Sequence, residues 1–178
     1  MPENEKNYAS VIRRVLAYAV DAVILFVAFP LILGAVFALL LYSTVGLDWM
    51  LNGLLFWLYV FSTVSLPFWL YYSLLESSSR QATFGMRLFR LQVADTSGRR
   101  ISFGRALLRT VVKLLPFELN HLVLFLPTPI WGDPEPGFRF GFVVVNALMI
   151  LYIATPFLTR RKQSVHDLIA GTVVLNAK

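Results

Sequence analysis

Four long apolar stretches alternate with polar, basic ones along the chain. The first, Val15 to Tyr42, runs 28 residues with one charge, Asp21. A membrane-spanning helix needs about 20 mostly apolar residues at 1.5 Å rise each. The run therefore predicts a crossing over 12–42, with Pro30 and Gly34 as kink points near its middle. A secretory signal peptide has a shorter apolar core, about 7–15 residues ahead of a small-residue cleavage site, so this helix is expected to be retained. The second stretch, Leu51 to Leu75, carries no charge until Glu76. Its Trp and Tyr residues gather near the ends, as interfacial anchors do. It predicts a helix over 51–75, bent at Pro67.

The third stretch is less apolar. From Phe103, apolar or small residues fall at 103, 106, 107, 110, 111, 114 and 115, the spacing of one helix face. Arg105, Arg109 and Lys113 take the opposite face, so this part reads as a basic amphipathic, membrane-surface helix. After Pro116 come Phe117 to Leu126, interrupted by Glu118, Asn120 and His121. Joined, the two parts give a helix over 103–126, 24 residues or about 36 Å. Pro116 lacks an N–H, so a carbonyl near residue 112 needs another donor. The fourth stretch, Phe140 to Leu158, has 19 residues and no charge, with Asn146 near its middle and Pro156 near its end. It predicts a helix over 138–158.

Between the second and third helices, residues 76–102 are polar. Phe89, Leu91 and Val93 alternate with Arg90 and Gln92, the turn signal Asp95–Gly98 follows, and Arg99–Ser102 reads as a returning second strand. Ser102 is placed to cap the amphipathic helix. In the tail, 159–178, His166–Ala170 reads as a short helix ending at Gly171. Thr172–Leu175 reads as a strand able to cover the hairpin edge. The expected fold is thus a single all-α membrane domain over 1–178. It has four transmembrane helices and a small cytoplasmic segment of β-hairpin and amphipathic helix.

Composition agrees. Of 178 residues, 57% are hydrophobic and 15% charged, and mean hydropathy is +0.67. A soluble domain sits near 45–50% apolar and about 25% charged, so a soluble enzyme and a disordered chain are both disfavoured. With no cysteine, disulfides, thiolate metal sites, iron–sulfur clusters and thiol catalysis are excluded. The net charge of +6 sorts by position. Fifteen of the 16 Lys and Arg residues fall before the first apolar run at Val15, between Ser77 and Lys113, or after the fourth run; only Arg139 lies elsewhere. Four crossings place all three basic segments on one side, which the positive-inside rule makes cytoplasmic, with both termini. A re-entrant third segment is the alternative, and it breaks that sorting. Nucleic acid is not an expected partner, because no recognition signature is present and stacking aromatics are few. The expected partners are the lipid bilayer and anionic lipid at the basic face.

Several polar residues carry candidate chemistry. Asp21 lies about two turns inside a spanning helix, where a charge costs about 2.5–3.5 kcal/mol on insertion scales. Arg14 precedes it by seven residues on the same face. One reading makes Asp21 a cation or proton site; the other makes it half of an ion pair with Arg14, Arg105 or Arg109. Glu118 and His121 share a face at i, i+3 and read either as a proton relay or as a polar cluster bonded to Asn146 or to Ser and Thr residues of neighbouring helices. Two ligands do not make a metal site, so no metal or cofactor is expected. His166 and Asp167 are adjacent on a helix and point about 100° apart. With no nucleophile motif and no phosphate loop, they do not read as a catalytic pair, and no enzymatic activity is expected. Asp167 reads instead as a helix cap or an arginine partner.

The chain resembles the RDD family of bacterial membrane proteins, named for an arginine and two aspartates. The resemblance rests on Arg14-x-x-Ala17-x-x-x-Asp21, on Thr83-Phe84-Gly85-Met86-Arg87 followed by Leu91-Gln92-Val93 and Gly98, on Ser102-x-x-Arg105-x-x-x-Arg109, and on Val165-His166-Asp167 through Val174. It spans nearly the whole chain. One departure is Met86, which stands where the family pattern Thr-x-Gly is followed by a basic residue; Arg87 comes next. The resemblance implies that Arg14, Asp21 and Asp167 are the name-giving residues, with Thr83, Gly85, Arg87, Arg105, Arg109 and His166 in the cytoplasmic motif. It also implies the bacterial inner membrane and a transport-related role such as cation/proton exchange. Four helices are few for a substrate path, so a homo-oligomer or a membrane partner is expected. The alternative is a non-transporting assembly or accessory protein that holds a partner or anionic lipid through its basic face.

Overall fold

A computed structural model describes residues 8–135 and 137–177; Lys6 and Lys178, counted above among the basic flanks, lie outside the described residues. Four helical stretches are long and apolar enough to cross a membrane: Val11–Val45, Gly53–Glu76, Phe103–Gly132 and Gly141–Leu158. The first comprises α1 (Val11–Phe29), a π turn at Pro30–Gly34, and α2 (Ala35–Val45). The second comprises α3 (Gly53–Val60), a π turn at Phe61–Ser65, and α4 (Leu66–Glu76). A short α5 (Phe84–Leu88) and β1 (Leu91–Asp95) lead to α6 (Phe103–Phe125), then α7 (Gly141–Leu158), α8 (Val165–Ala170) and β2 (Thr172–Asn176). The expected helix boundaries are met within three residues. Both π turns sit beside prolines, which break the i→i−4 ladder by lacking a donor.

The chain forms two compact units. One contains Leu25–Phe68 and Leu115–Met149. Its core is aromatic: the buried Trp49 stacks on Phe56 at 5.7 Å, and Phe56 meets Phe125 and Trp131 edge-on at 4.9 and 4.7 Å. Gly53 opens α3 so close to the Phe125 and Pro127 carbonyls that any Cβ there would run into them. The two π turns pack against each other, and the Tyr59 hydroxyl donates to the Gly34 carbonyl at 3.3 Å. Arg139, the one basic residue outside the three basic segments, donates to the Val123, Leu124, Leu126 and Thr128 carbonyls. It satisfies the orphan acceptors at the end of α6.

The other unit contains the chain up to Ile24, Trp69–Leu114, and the chain from Ile150. Its sheet corrects the hairpin reading of Arg99–Ser102. The sheet has two antiparallel strands, but β1 pairs with β2 of the tail, Val93 opposite Val174. Arg99–Ser102 forms no strand, for two local reasons. The other edge of β1 is taken by Gln81, whose carbonyl accepts from Val93 N–H and whose Nε2 donates to the Val93 carbonyl. Asp95 also gathers the turn onto its own carboxylate, accepting from the Ser97 and Arg99 N–H groups, so that 99–102 meets β1 through a single backbone bond, Asp95 N–H to the Arg99 carbonyl. Those amides hold the Asp95 carboxyl below the usual carboxylate range. The free edge of β2 is covered by Tyr8 and Ala9. Both edges are thus closed. Beneath lies a small core of Ala9, Ala17, Met86, Leu91, Val93, Ile101, Ala106 and Val174.

Ser102 caps α6 as expected, its Oγ accepting from Arg105 N–H. The helix continues through Pro116, and the carbonyl left without a donor is Val112's. It accepts from the Tyr152 hydroxyl at 2.7 Å. Tyr152→Phe is therefore expected to destabilise the protein by about 1–2 kcal/mol, read by detergent unfolding. In a Pro116→Ala background, where residue 116 again has an N–H for Val112, the same substitution should lose most of that effect.

Candidate functional site

The polar residues of the second unit divide into two arrangements. The larger is a charge network inside the protein. Asp167 sits in the first turn of α8, where its Oδ2 accepts from Ser164 N–H at 3.1 Å and so caps the helix. Arg14 of α1 meets the same oxygen at 2.5 Å. Arg14 also donates to the Lys162 carbonyl. Arg109 Nε and Thr172 Oγ1 reach the other oxygen, Oδ1, at 3.0 and 3.1 Å. Arg109 Nη1 then bridges to Glu76 Oε2 at 2.5 Å, and Lys113 Nζ lies 3.0 Å from Glu76 Oε1. Arg109 and Lys113 are four residues apart on α6, so one carboxylate at the end of α4 serves both. Lys113 also lies over the Tyr72 ring, 3.3 Å from its centroid. Asp167, Arg109 and Glu76 are fully buried, and Arg14 and Lys113 nearly so. The chain thus joins its first spanning helix, the end of its second, the start of its third and its tail through five charges.

His166 sits inside this network with no hydrogen-bond partner on either ring nitrogen. Burial, helped by the nearby Arg109, Lys113 and Arg14, pushes its imidazole well below the ordinary value of 6.5. For Asp167, burial alone would raise the carboxyl, but Arg109 and Arg14 outweigh it and hold it far below the usual range. Both shifts have the same sign for stability. Where the unfolded chain binds a proton that the folded chain refuses, stability falls as pH falls. Stability is expected to drop below about pH 6.5 through His166, by up to about 1.4 kcal/mol per pH unit. A further loss through Asp167 should begin below about pH 4. Because neither His166 nitrogen has a partner, His166→Phe should fold and should flatten the upper part of that curve, measured as unfolding midpoints against pH.

The second arrangement surrounds Asp21, which is fully buried. Its carboxylate accepts from the Tyr71 hydroxyl at 2.7 Å, the Thr83 hydroxyl at 2.6 Å and Gly85 N–H at 2.7 Å. All three donors are neutral. Tyr71 Oη in turn accepts from Phe84 N–H, and Thr83 Oγ1 from Met86 N–H, as the N-cap of α5. Position 85 must be glycine because a Cβ would collide with the Ala17 carbonyl oxygen of α1 and press on Asp21 Cγ. The expected ion pair of Asp21 with Arg14, Arg105 or Arg109 is not formed. Arg14 and Arg109 are drawn to Asp167, and Arg105 stands at the rim, half exposed and 3.9 Å from Asp95. Arg87 is half-buried, donating to the Ala82 carbonyl beside the Phe84 ring.

Glu118, His121 and Asn146 belong to the first unit described. Glu118 and His121 are half-buried and face each other at 3.7 Å, with His121 stacked on Phe125. Asn146 does not join them: it is exposed and donates to Phe142 of its own helix at 2.7 Å. A single amide in a helix satisfies itself on the i−4 carbonyl more cheaply than by crossing to a neighbour. Among the described residues, no group of three His, Cys, Asp or Glu is arranged to hold a metal ion. Sequence reading passed over Glu76, Tyr71 and Lys113 as site residues. Glu76 was visible as the charge that closes the second apolar run, and Lys113 as the third member of the i+4 basic series; Tyr71 carried no such signal.

No curated protein and no solved structure gives a significant match to this chain. The RDD family does, over residues 8–171. That span takes in Arg14, Asp21 and Asp167, and in the folded chain Arg14 and Asp167 are ion-paired across 153 residues. With nearly its full length matched, this multi-pass membrane protein belongs to the RDD family.

Proposed function

We propose that the protein exchanges protons or small cations across the membrane, with Asp21 as the ionisable group. One observation carries this: a carboxylate inside a spanning helix, fully buried, meets neutral donors alone among the described residues. An ionisable side chain inside a membrane span marks a candidate ion or proton path. Its partners suit both states. The Tyr71 and Thr83 hydroxyls donate to the ionised carboxylate, and a rotated hydroxyl accepts from the protonated one. Gly85 N–H holds the group in place in either state.

The test is flux into vesicles containing the purified protein, followed by an internal pH dye. Asp21→Asn is the informative variant. Its carbonyl keeps the bonds from Tyr71 and Gly85, and its amide donates to Thr83, so the fold is retained while the titration is lost. Flux is expected to fall at least about tenfold. Equal flux in wild type and Asp21→Asn removes Asp21 from the role, and no flux in folded wild type rejects exchange altogether. The basic segments are placed on the cytoplasmic side of a bacterial inner membrane. Reporter fusions at Asp133 and Lys178 should then fall on opposite sides; the same side for both overturns the four-crossing arrangement.

A second reading, an assembly or accessory protein, is favoured by the exposed Arg80, Arg90, Arg99, Arg100, Arg160 and Lys162. On that reading the buried network is a clamp that holds the polar segments in shape, and no flux accompanies it.

A further inference from the structure

We infer that α5 and α8 are seated in the lipid leaflet beside the basic segments, with their apolar faces among the acyl chains and their flanking cations at the phosphates. Phe84 and Leu88 of α5 are 61% and 68% exposed, and Leu168 and Ile169 of α8 are 49% and 56% exposed. None of the four lies in a spanning stretch. In water, such residues on two short helices would be unsupported apolar surface.

Their depth names the occupant. Gly85 donates to Asp21, ten residues beyond the start of α1, which is about 15 Å along that helix. The His166 ring lies 6.2 Å from the Tyr152 ring, and Tyr152 precedes the end of α7 by six residues, about 9 Å. Both short helices therefore run back alongside the ends of spanning helices, below their tips. Near those levels α1 exposes Val23 and Ile24, and α7 exposes Leu151 and Ile153. The α5 and α8 faces continue that lipid-facing surface. Exposed Arg80 and Arg90 bracket α5, and exposed Arg160 and Lys162 precede α8. Long cationic side chains beside buried apolar ones suit the boundary between acyl chains and phosphates.

The inference goes beyond the exchange reading and stands however the flux test falls, since it requires only insertion in a bilayer. The absence of cysteine makes its test direct. Phe84→Cys, Leu88→Cys, Leu168→Cys and Ile169→Cys are each labelled with an environment-sensitive dye in the full chain. The labelled proteins are then placed in vesicles of phosphatidylcholine with a minority of phosphatidylglycerol. Arg99→Cys serves as the aqueous reference and Ile153→Cys as the lipid reference. Lipids brominated on the acyl chain are expected to quench all four positions about threefold more than Arg99→Cys, and aqueous iodide about threefold less. Unchanged detergent unfolding midpoints establish that the variants fold. Iodide quenching equal to that at Arg99→Cys overturns the inference. So does shielding from both quenchers, which would mean that a second copy of the chain covers these faces.

Discussion

Arg109→Leu is expected to lower stability by about 3–5 kcal/mol, enough to lose most folded protein from a membrane extract. The size follows from what the arginine leaves behind. Glu76 and Asp167 are both fully buried, and Arg109 touches both. Lys113 remains for Glu76 and Arg14 for Asp167, but Glu76 Oε2 then loses its guanidinium, and Asp167 Oδ1 keeps the neutral Thr172 hydroxyl in place of a charge. Breaking a buried pair from one side strands the other charge. Arg105→Leu, one turn earlier on the same helix, is the control. Its side chain is 47% exposed, and exposed pairs contribute about 0–1 kcal/mol. Titration with denaturing detergent, followed by tryptophan fluorescence, measures both.

The second large effect is at Asp21. Asp21→Leu removes the shared acceptor of Tyr71, Thr83 and Gly85. Each buried donor left unmade costs about 1–3 kcal/mol, so a loss of about 3–5 kcal/mol is expected. Protease cleavage within 80–102 should appear at the same time, because α5 is held to α1 through this carboxylate. Asp48→Leu removes a carboxylate from an exposed position and should shift the same titration by less than about 0.5 kcal/mol. Equal effects at the two positions would mean that Asp21 does not hold α5.

The sequence made the helices legible because hydropathy runs and the 3.6-residue period are local properties. The Ser102 cap and the donor needed at Val112 were legible for the same reason: each follows from one residue's backbone chemistry. Pairing was legible only in part. Asp167 reads as a cap or an arginine partner and is both, but the alternative pair of Asp21 with Arg14, Arg105 or Arg109 is not formed, because Arg14 lies against Asp167, 153 residues on. β1 was assigned the nearest returning segment, yet it took the tail strand because Gln81 and Asp95 closed the nearer options. Charge partners are chosen by which helices meet, and that information is spread across the whole chain. Asn146 failed in the opposite direction: it was read as cooperating with distant residues and satisfied itself within one turn.

The distance between Arg14 and Asp167 also bears on how the protein is made. A ribosome delivers the arginine 153 residues before the aspartate. Throughout synthesis Arg14 waits without Asp167, and Arg109, once made, has only Glu76. The same delay applies to the sheet, since β1 is complete some 80 residues before β2 emerges. An unfinished or truncated chain is therefore chemically distinct from a finished one. It carries an unmatched arginine near a membrane surface and an unpaired strand, features that open a polypeptide to surveillance by proteases and chaperones. Synthesis of Val165–Asn176 lets that segment close both at once, so that its arrival and the burial of these charges become a single event.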